Sequence, residues 1–173
     1  MSLREGNVVW TFPDGWTAGK YDAWVFYRKQ FQGTGGGGTR AVDFVAFPPD
    51  GGTLWLIEAK DYTFEPRDDD KEPLPIEVAR KARDTLAGLA ACAANGLDDE
   101  QAFARRALDA TKIRVVLHLE QPTTKTRLYP TTLDRADVLQ KLKQVCKAID
   151  PHPKVMDTTH ADRVPWGVVW KPE

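Results

Sequence analysis

The chain has 173 residues, of which 42% are apolar and 28% charged. That size and balance suit one domain, residues 1–173, with a real hydrophobic core, and argue against wholesale disorder. No apolar run approaches the roughly 18–20 residues needed to cross a bilayer, and the opening MSLREGNVVW lacks the apolar stretch of a signal peptide. The expectation is therefore a cytoplasmic protein with no membrane partner. The formal net charge is -1. A free-standing nucleic-acid binder usually carries a basic surplus, so any such contact here must come from a local patch, or from a protein partner or homodimer that supplies targeting. Cys92 and Cys146 have no metal-binding or disulfide spacing and read as small core residues.

In chain order, Asn7 to Phe12 reads as a short strand, followed by a turn at Pro13-Asp14-Gly15. Tyr21, Trp24, Val25 and Phe31 recur at helical spacing, which predicts a helix from Thr17 to Phe31. The glycine tract that follows Phe31 supports neither helix nor strand. Thr39 to Phe47 and Thr53 to Lys60 read as two strands, and the short turn between them predicts an antiparallel hairpin. Beyond an acidic loop, Pro75 opens a helix that Gly96 ends, with an apolar stripe of Ala79, Ala82, Leu86, Leu89, Ala90 and Ala93. A second helix follows, capped by Asp98 and running to about Ala110. Lys112 to Glu120 is a β-branched strand, Thr132 to Ile149 a last long helix, and Val164 to Trp170 an edge strand. The fold class is α/β: a mixed central sheet with helices on both sides.

Chemistry concentrates at the hairpin. Side chains alternate along a strand, so in Thr53-Leu54-Trp55-Leu56-Ile57-Glu58-Ala59-Lys60 the Glu58 and Lys60 side chains share a face. Asp43 stands between Val42 and Phe44, where burial is expected. A buried carboxylate is costly unless it is paired or binds a metal. Two such groups on neighbouring strands, with one lysine, make a hard-cation site for Mg²⁺ or Mn²⁺, for which two carboxylates and one backbone carbonyl suffice.

Asp43 followed by Glu58-Ala59-Lys60 resembles the signature of the PD-(D/E)XK nuclease superfamily, although Val42 stands where the name-giving proline would be. The resemblance implies a restriction-endonuclease-like core of helix, three-stranded meander, helix and strand. It implies Asp43 and Glu58 as metal ligands, the Ala59 backbone carbonyl as a further ligand, and Lys60 beside the attacking water. It further implies Asp22 and Arg83 as accessory residues. The function implied is Mg²⁺-dependent endonucleolytic hydrolysis of DNA, with RNA as another substrate class. The alternative is a catalytically inactive nuclease-like module within a nucleic-acid-processing or defence complex. A third reading is an α/β protein in which the match is accidental. Arg80 and Arg83, on the helix after the hairpin, are the expected nucleic-acid contacts. His118 shares a strand face with Glu120 and reads as a core or rim histidine, while Trp16 or Trp170 is a candidate for base stacking.

Overall fold

Two sheets of different size lie face to face, and the larger one carries the site. The structure is a computed structural model that describes residues 1–65, 67–68, 70–122 and 132–171. The larger sheet has the strand order β3-β4-β5-β6-β7. Its members are β3 (Thr17–Lys20), β4 (Phe44–Phe47), β5 (Thr53–Asp61), β6 (Lys112–Glu120) and β7 (Lys154–Met156). The pairs β3–β4 and β4–β5 are antiparallel, whereas β5–β6 and β6–β7 are parallel. The smaller sheet joins β1 (Ser2–Glu5), β2 (Val8–Thr11) and β8 (Gly167–Trp170), all antiparallel. The helices are α1 (Leu74–Asn95), α2 (Asp98–Leu108) and α3 (Arg135–Val145).

Strand alternation divides the core in two. Leu54, Leu56, Val45, Phe47, Val115, Leu117 and Leu119 point to the helices and pack with Val78, Ala82, Leu89, Ala104, Val138 and Leu142. Ile57, Phe44, Ala46, Val116 and Met156 point the other way and meet Val8, Trp10, Phe12 and Trp166. Helices therefore cover one face of the central sheet and the small sheet covers the other, where the sequence had suggested helices on both sides. The α/β class with a mixed sheet stands. Trp16 joins the aromatic cluster between the sheets, 6.1 Å from both Phe12 and Trp166.

The expected helix over Thr17–Phe31 does not form. Its place is taken by β3, a turn of 3-10 helix at Tyr21–Ala23 and a turn of π-helix at Tyr27–Phe31. Tyr21 and Trp24 are buried as their spacing suggested, and Tyr27 is buried with them, but Val25 faces solvent. Tertiary pairing of β3 with β4 overrides the helical period, aided by Gly19, which lets the Trp24 and Phe103 rings pack against the strand. The strand expected from Thr39 shortens to β4. Upstream, the extended backbone gives its donors to side chains of α1: Arg40 N–H to Asp84 at 3.0 Å and Val42 N–H to Thr85 at 3.0 Å. Thus the core that begins with a helix and continues into a meander is not confirmed.

The remaining elements match more closely, with Leu97 rather than Asp98 at the N-cap of α2 and with β1 and β7 unforeseen. On α1 the buried residues are Leu74, Pro75, Val78, Ala82, Thr85, Gly88, Leu89 and Cys92, a stripe rotated from the alanine-rich one expected. This rotation turns Glu77, Lys81, Asp84 and Gly88 along a single line toward the loop-and-hairpin side. Gly88 is where α1 comes closest: a Cβ there would lie 2.1 Å from the Tyr21 hydroxyl oxygen and 3.0 Å from Phe31. Gly88→Ala is expected to destabilise the protein by about 1–3 kcal/mol through overpacking, despite alanine's helix preference of about 1 kcal/mol. Thermal melting checks this, and a rise in Tm would show that the contact is slack.

Candidate functional site

At the C-terminal end of β5 the alternation that buries Leu54 and Leu56 carries Glu58 and Lys60 to the helix face. Asp43, one residue before β4, reaches the same place, and its Oδ2 accepts the Ala59 N–H at 2.6 Å. Glu58 is fully buried. Its Oε1 meets Lys81 Nζ at 2.5 Å and Lys60 Nζ at 3.0 Å. Lys60 continues to Glu77 at 2.9 Å, and Arg67 closes the chain on the other oxygen of Glu77 at 2.9 Å. Charges alternate along this ladder, from Lys81 through Glu58, Lys60 and Glu77 to Arg67. Glu77 and Lys81 are one helical turn apart, so a single face of α1 supplies both.

Satisfaction is incomplete. Glu58 Oε2 and Asp22 Oδ1 are buried without a hydrogen-bond partner among the described residues. Burial pushes the Glu58 carboxyl up against the pull of Lys81 and Lys60. Asp43 is pushed up to about 7, first by burial and then by the Glu58 charge, with Lys81 and the Ala59 N–H opposing. Burial also raises Asp22. For Glu77 burial works upward, but Lys60 and Arg67 outweigh it and hold the carboxyl below its usual range.

A cavity of about 420 Å³ opens onto Asp43 and Lys81 and is lined further by Asp22, Tyr27, Arg28, Gln32, Thr39 and Arg40. Its floor is acidic and its rim carries two guanidinium groups, an arrangement suited to a cation with a phosphate above it. Asp22 lines the same cavity as Asp43. The arginines foreseen on α1 stand elsewhere. Arg80 pairs with Glu72 at 2.5 Å, and Arg83 is largely exposed and bound to its neighbour Asp84 at 2.8 Å. Lys81 enters the site in place of Arg83, because the buried stripe of α1 is rotated. Glu77 was not foreseen either, and the only signal for it was its i,i+4 spacing to Lys81. His118 is buried on the opposite face of the sheet, 2.8 Å from Glu120 and edge-on to Trp10. Trp170 lies 6.3 Å from the exposed ring of Phe64.

No protein-family model matches the chain, and no solved structure matches it. The chain is similar to a cysteine–tRNA ligase of Neisseria meningitidis serogroup A, serotype 4A, with 34% identity in an alignment of 169 positions. The alignment covers 80% of this chain and 24% of the ligase, so the chain spans about a quarter of that relative. This finding overturns the nuclease resemblance. Membership of the PD-(D/E)XK superfamily, DNA endonuclease activity and the inactive nuclease-like module are withdrawn, together with DNA as the partner. The resemblance rested on three side chains and an element order whose leading helix is absent. In the structure Lys60 is engaged at both Glu58 and Glu77, a stabilising role for which any buried ExK pair would serve.

The Asp43 shift sets a pH dependence. Its folded value, about 7, lies above the ordinary value of 3.8, so between those values the folded state holds the proton more firmly than the unfolded chain. On this account the protein loses stability as pH rises from about 4 to about 7 and levels off beyond. Asp43→Asn keeps an acceptor for the Ala59 N–H and removes the charge. Melting curves across that range, without divalent metal, are expected to show a flatter pH profile for the variant and at least wild-type stability at pH 8. A variant less stable than wild type at pH 8 would mark Asp43 as a structural ion-pair partner.

Proposed function

We propose that the chain is an RNA-contacting module of an enzyme of the tRNA-ligase type, in which Asp43 and Glu58 hold Mg²⁺ or Mn²⁺ and the surrounding cations take an RNA phosphate. The observation that carries the geometric half is the pair of buried, mutually repelling carboxylates beneath a cavity rimmed by Arg28 and Arg40. Segmental similarity to a tRNA ligase supports RNA as the ligand class. That similarity also supports an enzyme as the setting, since the relative is itself a ligase.

The residues fit a hard cation. An unpartnered Glu58 Oε2 and the elevated carboxyl of Asp43 are what a site built for positive charge leaves behind when only lysines face it. Among the described residues no group of three or more histidine, cysteine, aspartate or glutamate side chains has metal-binding geometry. Two carboxylates with the Ala59 carbonyl suffice for Mg²⁺, which keeps several waters and completes its shell with phosphate oxygens. When bound, the ion supplies a fixed double charge that draws an anion to the cavity. Lys60, held between Glu58 and Glu77, keeps the Glu58 carboxylate oriented. Arg28, whose Nε donates to the Asp22 carbonyl at 2.8 Å, and Arg40, whose Nη1 pairs with Glu72 at 2.5 Å, each keep further N–H groups to offer phosphate oxygens. A chain of net charge -1 then binds RNA through one concentrated patch, and the affinity should fall with salt.

Fluorescence anisotropy with labelled tRNA, single-stranded RNA and duplex DNA, in Mg²⁺ and in EDTA, tests the reading. The expected outcome is a preference for tRNA that Mg²⁺ strengthens. Arg28→Ala with Arg40→Ala should flatten the salt dependence by roughly 0.7–0.9 in log affinity per log salt for each lost phosphate contact. Asp43→Asn should abolish the Mg²⁺ gain without abolishing binding in EDTA. Absence of RNA binding, or RNA binding indifferent to Mg²⁺ and to Asp43→Asn, overturns it.

A further inference from the structure

Lys60 and Lys81 both neutralise Glu58, but they are not equivalent. Lys60 is anchored twice, at 3.0 Å to Glu58 and 2.9 Å to Glu77. Lys81 meets Glu58 alone among the ion pairs of the described residues, at 2.5 Å, and its side chain lines the cavity beside Asp43, Asp22, Arg28 and Arg40. Among the described residues the second oxygen of Glu58 has no hydrogen-bond partner. An ammonium on a flexible stem therefore stands on the Glu58 oxygen, where it competes with any cation that binds that carboxylate, and open space lies beside it. With its carboxylates ionised, the group of Asp43, Glu58, Glu77, Lys60, Lys81 and Arg67 is electrically neutral, so a divalent ion added to it creates a surplus of two positive charges. A buried surplus of that size is costly without an anion.

We propose that Lys81 is a resident counter-ion of the site: it occupies Glu58 in the absence of a divalent cation, is displaced into the adjoining cavity when one binds, and there meets the phosphate of the incoming ligand. The inference rests on the cation reading given above and adds the coupling between cation and anion. Displacement makes the two ligands cooperative. The cation frees Lys81 from Glu58, and the phosphate gives the freed ammonium a new partner, so each raises the affinity of the other by the same factor. Lys60, tied to Glu77, stays in place and holds Glu58 in its rotamer throughout.

The test compares wild type with Lys81→Met, which keeps the length of the stem and removes the charge, and with Lys81→Gln, which retains a hydrogen-bond donor for Glu58 should the methionine variant fold poorly. Mn²⁺ dissociation constants are measured by titration calorimetry on the full chain at pH 8, alone and with single-stranded RNA present. The expected result is tighter Mn²⁺ binding in the variants by about tenfold or more, within the usual range for coupled sites. RNA should then strengthen Mn²⁺ binding several-fold less in the variants than in wild type. If a folded variant binds Mn²⁺ no more tightly than wild type, or if RNA aids Mn²⁺ equally in both, Lys81 is a structural partner of Glu58 and the inference falls while the cation site stands. If neither wild type nor variant binds Mn²⁺ at millimolar concentration, the cation reading itself falls, and the counter-ion role falls with it.

Discussion

A carboxylate sealed from water governs this architecture. Glu58 is 0% exposed, and an ion taken that far from solvent must be met by opposite charge at close range or take up a proton. Lys60 meets it from the same strand and Lys81 from α1, which fixes where the helix crosses the end of β5. Removing one partner from such an arrangement typically costs about 3–5 kcal/mol, because a charge is left stranded. The apolar contacts of α1 could be satisfied at neighbouring rotations of the helix. The ion ladder selects one of them, the one in which Glu77 and Lys81 both face β5.

That rotation extends along the helix. Proceeding from the N-terminal end, Glu77 takes Lys60, Lys81 takes Glu58, Asp84 takes the Arg40 N–H, Thr85 takes the Val42 N–H, and Gly88 admits Tyr21. The segment leading into β4 is thereby held extended without a strand partner of its own, and Asp43 at its end is delivered to the Ala59 N–H. The turn that carries Asp22 is drawn in through Tyr21, whose N–H donates to the Asp43 carbonyl at 2.9 Å. One helix face therefore positions all the acids of the cavity floor, and a change in helix phase would disperse them.

The alternation rule made the shared face of Glu58 and Lys60 readable in the sequence, and the improbability of a carboxylate amid Val42 and Phe44 marked Asp43. Strand β6, the β4–β5 hairpin and the start and stop of α1 at Pro75 and Gly96 were equally legible, since each rests on local chemistry. What failed did so for non-local reasons. The apolar stripe on α1 has alanines on several sides, so hydrophobicity alone leaves its phase undetermined, and with it the choice between Lys81 and Arg83. The stretch from Thr17 to Phe31 has a helical period in its aromatic residues, but the partner strand that recruits Thr17–Lys20 lies more than twenty residues downstream. The family resemblance failed differently. Three side chains in the right order are compatible with a metal centre in more than one lineage, and they do not identify the reaction.

The small sheet couples residues at opposite ends of the described chain, with Val8–Thr11 paired to Gly167–Trp170. On a ribosome these partners are made far apart in time. Until the last strand emerges, β2 has hydrogen-bonding partners on the β1 side only, and its other edge presents unpaired amide and carbonyl groups next to the apolar residues Val8 and Trp10. Contacts of such long sequence separation also form late in folding. The nascent protein thus passes through a stage in which most of its central sheet can assemble while its cover remains a sticky margin, open to pairing with a neighbouring nascent copy. Pairing of Gly167–Trp170 with Val8–Thr11 closes that margin.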